Sequence, residues 1–337
     1  TPSTLRPNCC SDERIFLWCR INMPPPSTIE NQLIRALADW ASRASLRDMA
    51  NYGAGLCKFH LFCDVFSIPE IRRLPASFEL LHSFALWAPI SVKVAQKYLS
   101  AVRAWHLAQG WSPPLSEEHM TRISWSLHGM ANLQHSKRSR PPRPPVTLAM
   151  LAALKAALDL TDPFDACVWA AADSSFWGMM RFGEVSVKSR TAFDGSLHLK
   201  RADVFFRQDL AGQPYAQLAL PSAKTAQLGQ VQHVFLNAQI NVCPLEGLRN
   251  LAQIIPDPLF SWRDRYGNIR PLVCDAALKR INDIFSMLGW GTAFGHSFRI
   301  GGASFFLAKK VDPEIMRLAG RWRSLAYETY IRAFEQI

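Results

Sequence analysis

Residues 295–332 read GHSFRIGGASFFLAKKVDPEIMRLAGRWRSLAYETYIR, a stretch that sets His296, Arg299, Trp322, Tyr327 and Tyr330 among residues otherwise suited to buried helix. Buried polar groups need partners, and this many strong donors in one segment ask for an acceptor. Two more fragments precede it: GMMRFGEV, with Arg181 and Glu184 three apart on one face near the end of a long apolar helix, and PSAKTAQ, with Lys224 in a tight turn between two strands. Along the chain the order is Arg, Lys, His-x-x-Arg, Trp, Tyr. Singly, each has a bland explanation: a helix ion pair for Arg181 and Glu184, a solvated turn for Lys224, packing for Trp322. The ordered set points instead to chemistry.

That chemistry is attack on a phosphodiester. The pentacoordinate phosphorus gains charge on its non-bridging oxygens, and without a metal that charge needs fixed cations. Arg181 and Arg299, with planar forks of donors, are the natural pair. Trp322 can add an indole N–H to a phosphate oxygen. A phenol with an ordinary pKa of about 10 must lose its proton, to His296 or to a neighbouring oxyanion. The departing oxygen must gain one, and Lys224 can supply it. Glu184 would hold an arginine or the histidine in place. Of the two tyrosines, Tyr327 shares an i, i+4, i+7 stripe with Ile331 and Phe334, whereas Tyr330 lies off its centre, so Tyr330 is the expected nucleophile. A covalent phosphotyrosine conserves the bond energy for religation. The chain has no G-x-x-x-x-G-K-[ST] loop and no clustered carboxylates for two magnesium ions, so no cofactor and no metal are expected.

The elements that must position these groups fall into two halves. HSKRSRPPRPPVT, residues 135–147, alternates prolines with Lys137, Arg138, Arg140 and Arg143. Proline pairs preclude helix and favour an extended connector, and the cations suit phosphate alongside. Residues 1–134 read as all-helical. One helix opens with a capping box from Ser27 to Glu30 and aligns Ile29, Leu33, Leu37, Trp40 and Ala44. Another begins at Ser91, with Ala95, Tyr98, Leu99, Val102 and Trp105 on one stripe and Lys93, Lys97, Ser100 and Arg103 on another arc suited to gripping phosphate. Residues 148–337 read as helices over about 147–158 and 163–183, then three short strands in SLHLKRADVFFR, PYAQLALPS and VQHVFLNA, then helices again from Pro244. Asp312 and Pro313 suit an N-cap and first turn, Gly320 a helix stop, and Ser324 the cap of the last helix. The fold class is therefore mainly α: an all-helical N-terminal domain, and an α-helical second domain with one small antiparallel sheet.

Composition agrees with a nucleic-acid partner. The 337 residues carry a formal charge of +11, and 49% are hydrophobic against 19% charged, which is globular and basic. No apolar run spans a bilayer and the first residues lack a signal-peptide pattern, so a membrane partner is not expected. Eight cysteines at 9, 10, 19, 57, 63, 167, 243 and 274 show no C-x-x-C pair and read as reduced thiols of a cytosolic or nuclear protein.

On GMMRFGEV, the lysine turn, HSFR, GRW and YETYIR, the sequence resembles the tyrosine recombinases of the phage-integrase type, DNA breaking and rejoining enzymes, over essentially its whole length. GRW followed by YIR is most similar to the recombinases of eukaryotic mobile elements, especially cryptons. Many relatives have His where this chain has Trp322. The resemblance implies a two-domain clamp on double-stranded DNA: a core-binding domain at 1–134, the linker at 135–147 and a catalytic domain at 148–337. It further implies a 3′-phosphotyrosyl intermediate on Tyr330 with a 5′-hydroxyl leaving group, and a homotetramer on two duplexes, a dimer per site. The reaction would serve transposition or integration, in the nucleus of a eukaryote or otherwise the cytoplasm. Two alternatives stand beside it: a domesticated DNA-binding protein that no longer cuts, which would show a broken constellation, and a type IB topoisomerase, which relaxes DNA without site choice.

Overall fold

The computed structural model describes residues 2–26, 31–46, 48–88, 91–133, 144–223, 231–252 and 258–322. The chain divides into two units, Thr1–Arg140 and Pro141–Ile337. Among the described residues no helix is long and apolar enough to cross a membrane, and all eight cysteines are free.

The first unit is helical: α1 (Arg14–Leu17), α2 (Gln32–Ser45), α3 (Met49–Val65), α4 (Phe78–Trp87), α5 (Val92–Ala108) and α6 (Glu117–Leu133). Its core is aromatic, with Phe59, Phe62, Phe84 and Trp105 buried where α3 meets α4 and α5. Beside it His60 is buried with Nδ1 accepting from Arg6 at 2.7 Å; burial, then the charges of Arg6 and Arg73, hold its pKa well below the usual histidine value. Ser91 caps α5 by accepting from the Val94 N–H, and Ala95, Leu99, Val102 and Trp105 form the buried stripe the spacing predicts. Lys93, Lys97 and Arg103 lie exposed on the opposite side. In α2 the aligned apolar residues do not turn inward: Leu33 and Trp40 are 81% and 69% exposed. Its cap is Asn31, which accepts from the N–H groups of Leu33 and Ile34; the expected Ser27–Glu30 box, with Ile29, lies outside the described residues.

The second unit is built around α8 (Pro163–Trp177), buried from Asp165 to its end. Asp162 caps it and Pro163 fills its first turn. Around it lie α7 (Leu148–Ala157), α9 (Pro244–Ala252), α10 (Cys274–Met287) and α11 (Ser297–Ala308), followed by α12 (Pro313–Ala319). Asp165 accepts a two-pronged ion pair from Arg280 of α10, at 2.9 and 2.7 Å. Strands β1 (Val204–Gln208), β2 (Pro214–Leu220) and β3 (Gln232–Asn237) form an antiparallel sheet in that order, with Leu218 opposite both Val204 and Val234. Ala216, Leu218, Leu220, Val234 and Leu236 point into the core, as period-two burial requires. The end of α8 meets this sheet, with Gly178 against Val234 and Leu236.

Three expectations are corrected. The helix predicted to 183 stops at Trp177, because Gly178 caps it and Met179 adopts φ 44°. The first strand starts at Val204 rather than near Ser196, since Arg201–Asp203 form a 3-10 turn closed by the Asp203 carboxylate on the Lys200 N–H. A second sheet, the hairpin β4 (Ser261–Arg263) with β5 (Ile269–Pro271), was not expected; its strands are three residues each, too short for a period to register. Of the linker, residues 135–143 lie outside the described residues. Val146 is buried and donates its N–H to the Ser297 carbonyl at 3.0 Å, and Thr147 caps α7.

Helix α11 approaches α8 through Gly301 and Gly302. A Cβ on Gly302 would collide with the Phe176 carbonyl oxygen, and one on Gly301 with that of Val146. Backbone cannot yield as a flexible side chain can, so Gly302→Ala should destabilise by roughly 1–3 kcal/mol. Gly129, exposed in α6 with open space at its Cβ, is the control; there alanine should stabilise by about 0.5–1 kcal/mol. Thermal midpoints of the two variants should shift in opposite directions.

Asp173, in the middle of α8, is wholly buried, and its two oxygens have no hydrogen-bond partner among the described residues. The charge of Lys155, and after it the Trp177 indole one turn on, favour the ionised form against burial. Burial dominates and pushes the carboxyl up from 3.8 to about 8. The folded chain then holds a proton that the unfolded chain has released, so stability should fall as pH rises from about 4 to about 8. In Asp173→Asn that slope should be absent in denaturant titrations across the window, and the variant should exceed the wild type in stability at the alkaline end.

Candidate active site

The end of α8 delivers the chain into a 3-10 turn, Phe182–Glu184, with Arg181 as its cap. Glu184 grips Arg181 twice: Oε2 accepts from the Arg181 backbone N–H at 2.9 Å and Oε1 from its Nη1 at 2.8 Å. The pair therefore sits in a turn and not on a helix face. The glutamate side chain is 8% exposed and that of Arg181 22%, so the carboxylate is sunk and the guanidinium keeps an outward side.

Arg299 lies in the first turn of α11, three residues after His296, which caps that helix and is half-buried. Arg299 is wholly buried. Its Nη1 donates to the Met179 carbonyl, its Nη2 to the Gly320 carbonyl, and its guanidinium lies over the Trp322 ring, 4.5 Å from the centroid. Trp322 follows the stop of α12 at Gly320, as the sequence predicts, and is buried. Arg317 of α12 holds this turn by donating to the Trp322 carbonyl at 3.2 Å while pairing with Glu314.

One residue escaped the sequence reading. Arg321, between Gly320 and Trp322, adopts φ 58° and buries its side chain, which is 5% exposed. Its Nη2 donates to Glu184 Oε2 at 2.8 Å and its Nη1 to the Gly178 carbonyl at 3.3 Å. Burial disfavours its charge and the Glu184 carboxylate opposes that effect. An arginine just past a helix stop reads as a solvated cation; its one signal was its place inside GRW.

Arg181, Arg299, Arg321 and Glu184 thus converge on the turn that follows α8, three guanidinium charges against one carboxylate. An anion is the ligand that such a set can hold. Lys224, Tyr327, Tyr330 and the linker cations Lys137, Arg138, Arg140 and Arg143 lie outside the described residues, and Lys93, Lys97 and Arg103 belong to the first unit.

No family model matches this chain, and no curated protein matches it in sequence. Among solved structures it is similar to the XerH site-specific recombinase bound to palindromic difH substrate in a post-cleavage complex, with TM-score 0.52 and 14% identity, covering 100% of this chain and 96% of that one. It also matches the pre-cleavage complex of XerH with difH, with TM-score 0.49, 14% identity and coverage of 99% and 95%. A lambda integrase dimer bound to a COC′ core site follows with TM-score 0.46, 11% identity and coverage of 91% and 95%. At such identities the likeness is one of fold: this mainly helical chain with its small antiparallel sheet has the fold of the tyrosine recombinases.

Proposed function

We propose that this chain cuts and rejoins DNA as a tyrosine recombinase, through a covalent 3′-phosphotyrosyl intermediate. The observation that carries the reading is the meeting of Arg181 and Arg299, separated by more than a hundred residues of sequence, at the turn after α8, with His296 one helical turn before Arg299. Tyr330 attacks phosphorus, its proton passing to His296 or a neighbouring oxyanion. The bond from phosphorus to the 5′-oxygen breaks as Lys224 protonates that oxygen. Arg181 and Arg299 bear the charge of the non-bridging oxygens. Arg299 is enclosed by Trp322 and two carbonyls, so its share of the phosphate requires the Gly320–Trp322 turn to shift when DNA binds. The comparison structures hold DNA substrates of site-specific recombination, which supports the same class of substrate here. GRW and YIR favour a crypton-like mobile element as the source of the DNA site.

On a nicked suicide substrate bearing the terminal sequences of its element, the wild type should accumulate a covalent protein–DNA adduct in EDTA. Tyr330→Phe should bind DNA but form none, while Tyr327→Phe should still form it. Lys224→Ala should be slowed by roughly 10²–10⁴ and rescued by a 5′-phosphorothiolate, whose leaving group needs no proton. An adduct surviving in Tyr330→Phe, or a strict need for magnesium, would overturn the mechanism. Relaxation of a supercoiled plasmid lacking any such site would favour a type IB topoisomerase instead.

DNA binding engages Lys93, Lys97 and Arg103 and the linker cations, and four chains assemble on two duplexes, since strand exchange needs four cuts with one nucleophile per chain. Neutralising Lys137, Arg138, Arg140 and Arg143 together should flatten the salt dependence of affinity, each lost phosphate contact removing about 0.9 from the log–log slope. Complexes sized on the same DNA should contain four chains per two duplexes. An unchanged slope would make the linker a tether only, and complexes never exceeding one chain per duplex would exclude the tetramer.

A further inference from the structure

The geometry points to Arg321 as a positioning residue for the phosphate-binding Arg181, acting through Glu184. This rests on the cleavage reading above and adds to it a residue that need not touch DNA.

The inference rests on a shared carboxylate. Glu184 Oε2 accepts from the Arg181 backbone at 2.9 Å and from Arg321 Nη2 at 2.8 Å, while Oε1 accepts from the Arg181 guanidinium at 2.8 Å. Arg321 therefore joins the Arg181 backbone in holding Oε2, which leaves Oε1 for the guanidinium of the more exposed Arg181. Without Arg321 Oε2 would keep only the Arg181 backbone bond, and the direction of the Arg181 fork would be less firmly fixed.

Stability alone is a poor reason for this arrangement. Both side chains of the pair are at most 8% exposed, and an ion pair so buried is often no better than apolar residues of the same volume. The Arg321 Nε has no partner among the described residues, and a positive φ at a residue with a Cβ adds strain. Desolvation, an unmet donor and strain gather at one residue in contact with the machinery, the pattern of a group retained for what it positions.

The test uses the full chain and single-turnover adduct formation on the suicide substrate at saturating protein, alongside DNA affinity and thermal midpoint. Arg321→Met should slow adduct formation by roughly 10- to 100-fold with little change in affinity. Arg321→Lys, which keeps the charge without the fork, should recover part of the rate. In a Glu184→Gln background Arg321→Met should add little further loss, because both act through the same carboxylate. Should Arg321→Met fail to fold, the comparison of Arg321→Lys, Glu184→Gln and their double variant below their midpoints decides the matter in the same way. A wild-type rate in a folded Arg321 variant, or fully additive losses, would overturn the role of Arg321 and leave the cleavage reading intact. A wild type that forms no adduct would remove the cleavage reading, and this inference with it.

Discussion

A guanidinium charge sealed inside a protein must be met by oriented dipoles, and the arrangement of the second unit depends on how Arg299 is met. The last carbonyls of a helix lack intrahelical partners and carry the negative end of its dipole. Here the chain leaving α8 offers two in succession, Gly178 to Arg321 and Met179 to Arg299. Had α8 continued to 183, as its apolar run suggests, both carbonyls would have been consumed by the helix. The break at Gly178 and the positive φ at Met179 are what release them.

Reaching those carbonyls requires α11 to lie against α8 at backbone distance. The adjacent glycines supply the approach, Gly302 over the Phe176 carbonyl and Gly301 over that of Val146. The Val146 N–H bond to Ser297 then fastens the first turn of α11, the turn that carries Arg299. Trp322 closes the opposite side, its ring face set against the cation. A buried cation, a broken helix and a close helix pair are thus one solution to one electrostatic requirement.

The same economy is visible in Glu184. One carboxylate fixes the backbone and the side chain of Arg181 and neutralises Arg321, so the cluster retains a positive surplus directed at its more exposed member. In the first unit a similar exchange operates around His60, where Asp64 and Glu70 meet Arg6 and Arg73 and the histidine is left neutral as an acceptor. In both places carboxylates orient arginines; two carboxylates balance two arginines in the first cluster, and in the second the surplus charge falls to the partly exposed Arg181.

What the sequence by itself determined was local. The caps at Ser91 and Asp312, the buried stripe of α5, the second and third strands and the His296–Arg299 spacing follow from near-neighbour periodicity and capping chemistry, and they appear where those rules put them. The order of donors along the chain is likewise a property of the sequence alone. What tertiary structure decided was everything that depends on partners far apart in the chain. The use of the Gly178 and Met179 carbonyls just beyond α8 by distant arginines, the exposure of the apolar side of α2 and the β4–β5 hairpin, whose pairing is too short to leave a period, belong here. Arg321 is the clearest case: its carboxylate lies 137 residues upstream, and no local spacing encodes an ion pair made across a folded core.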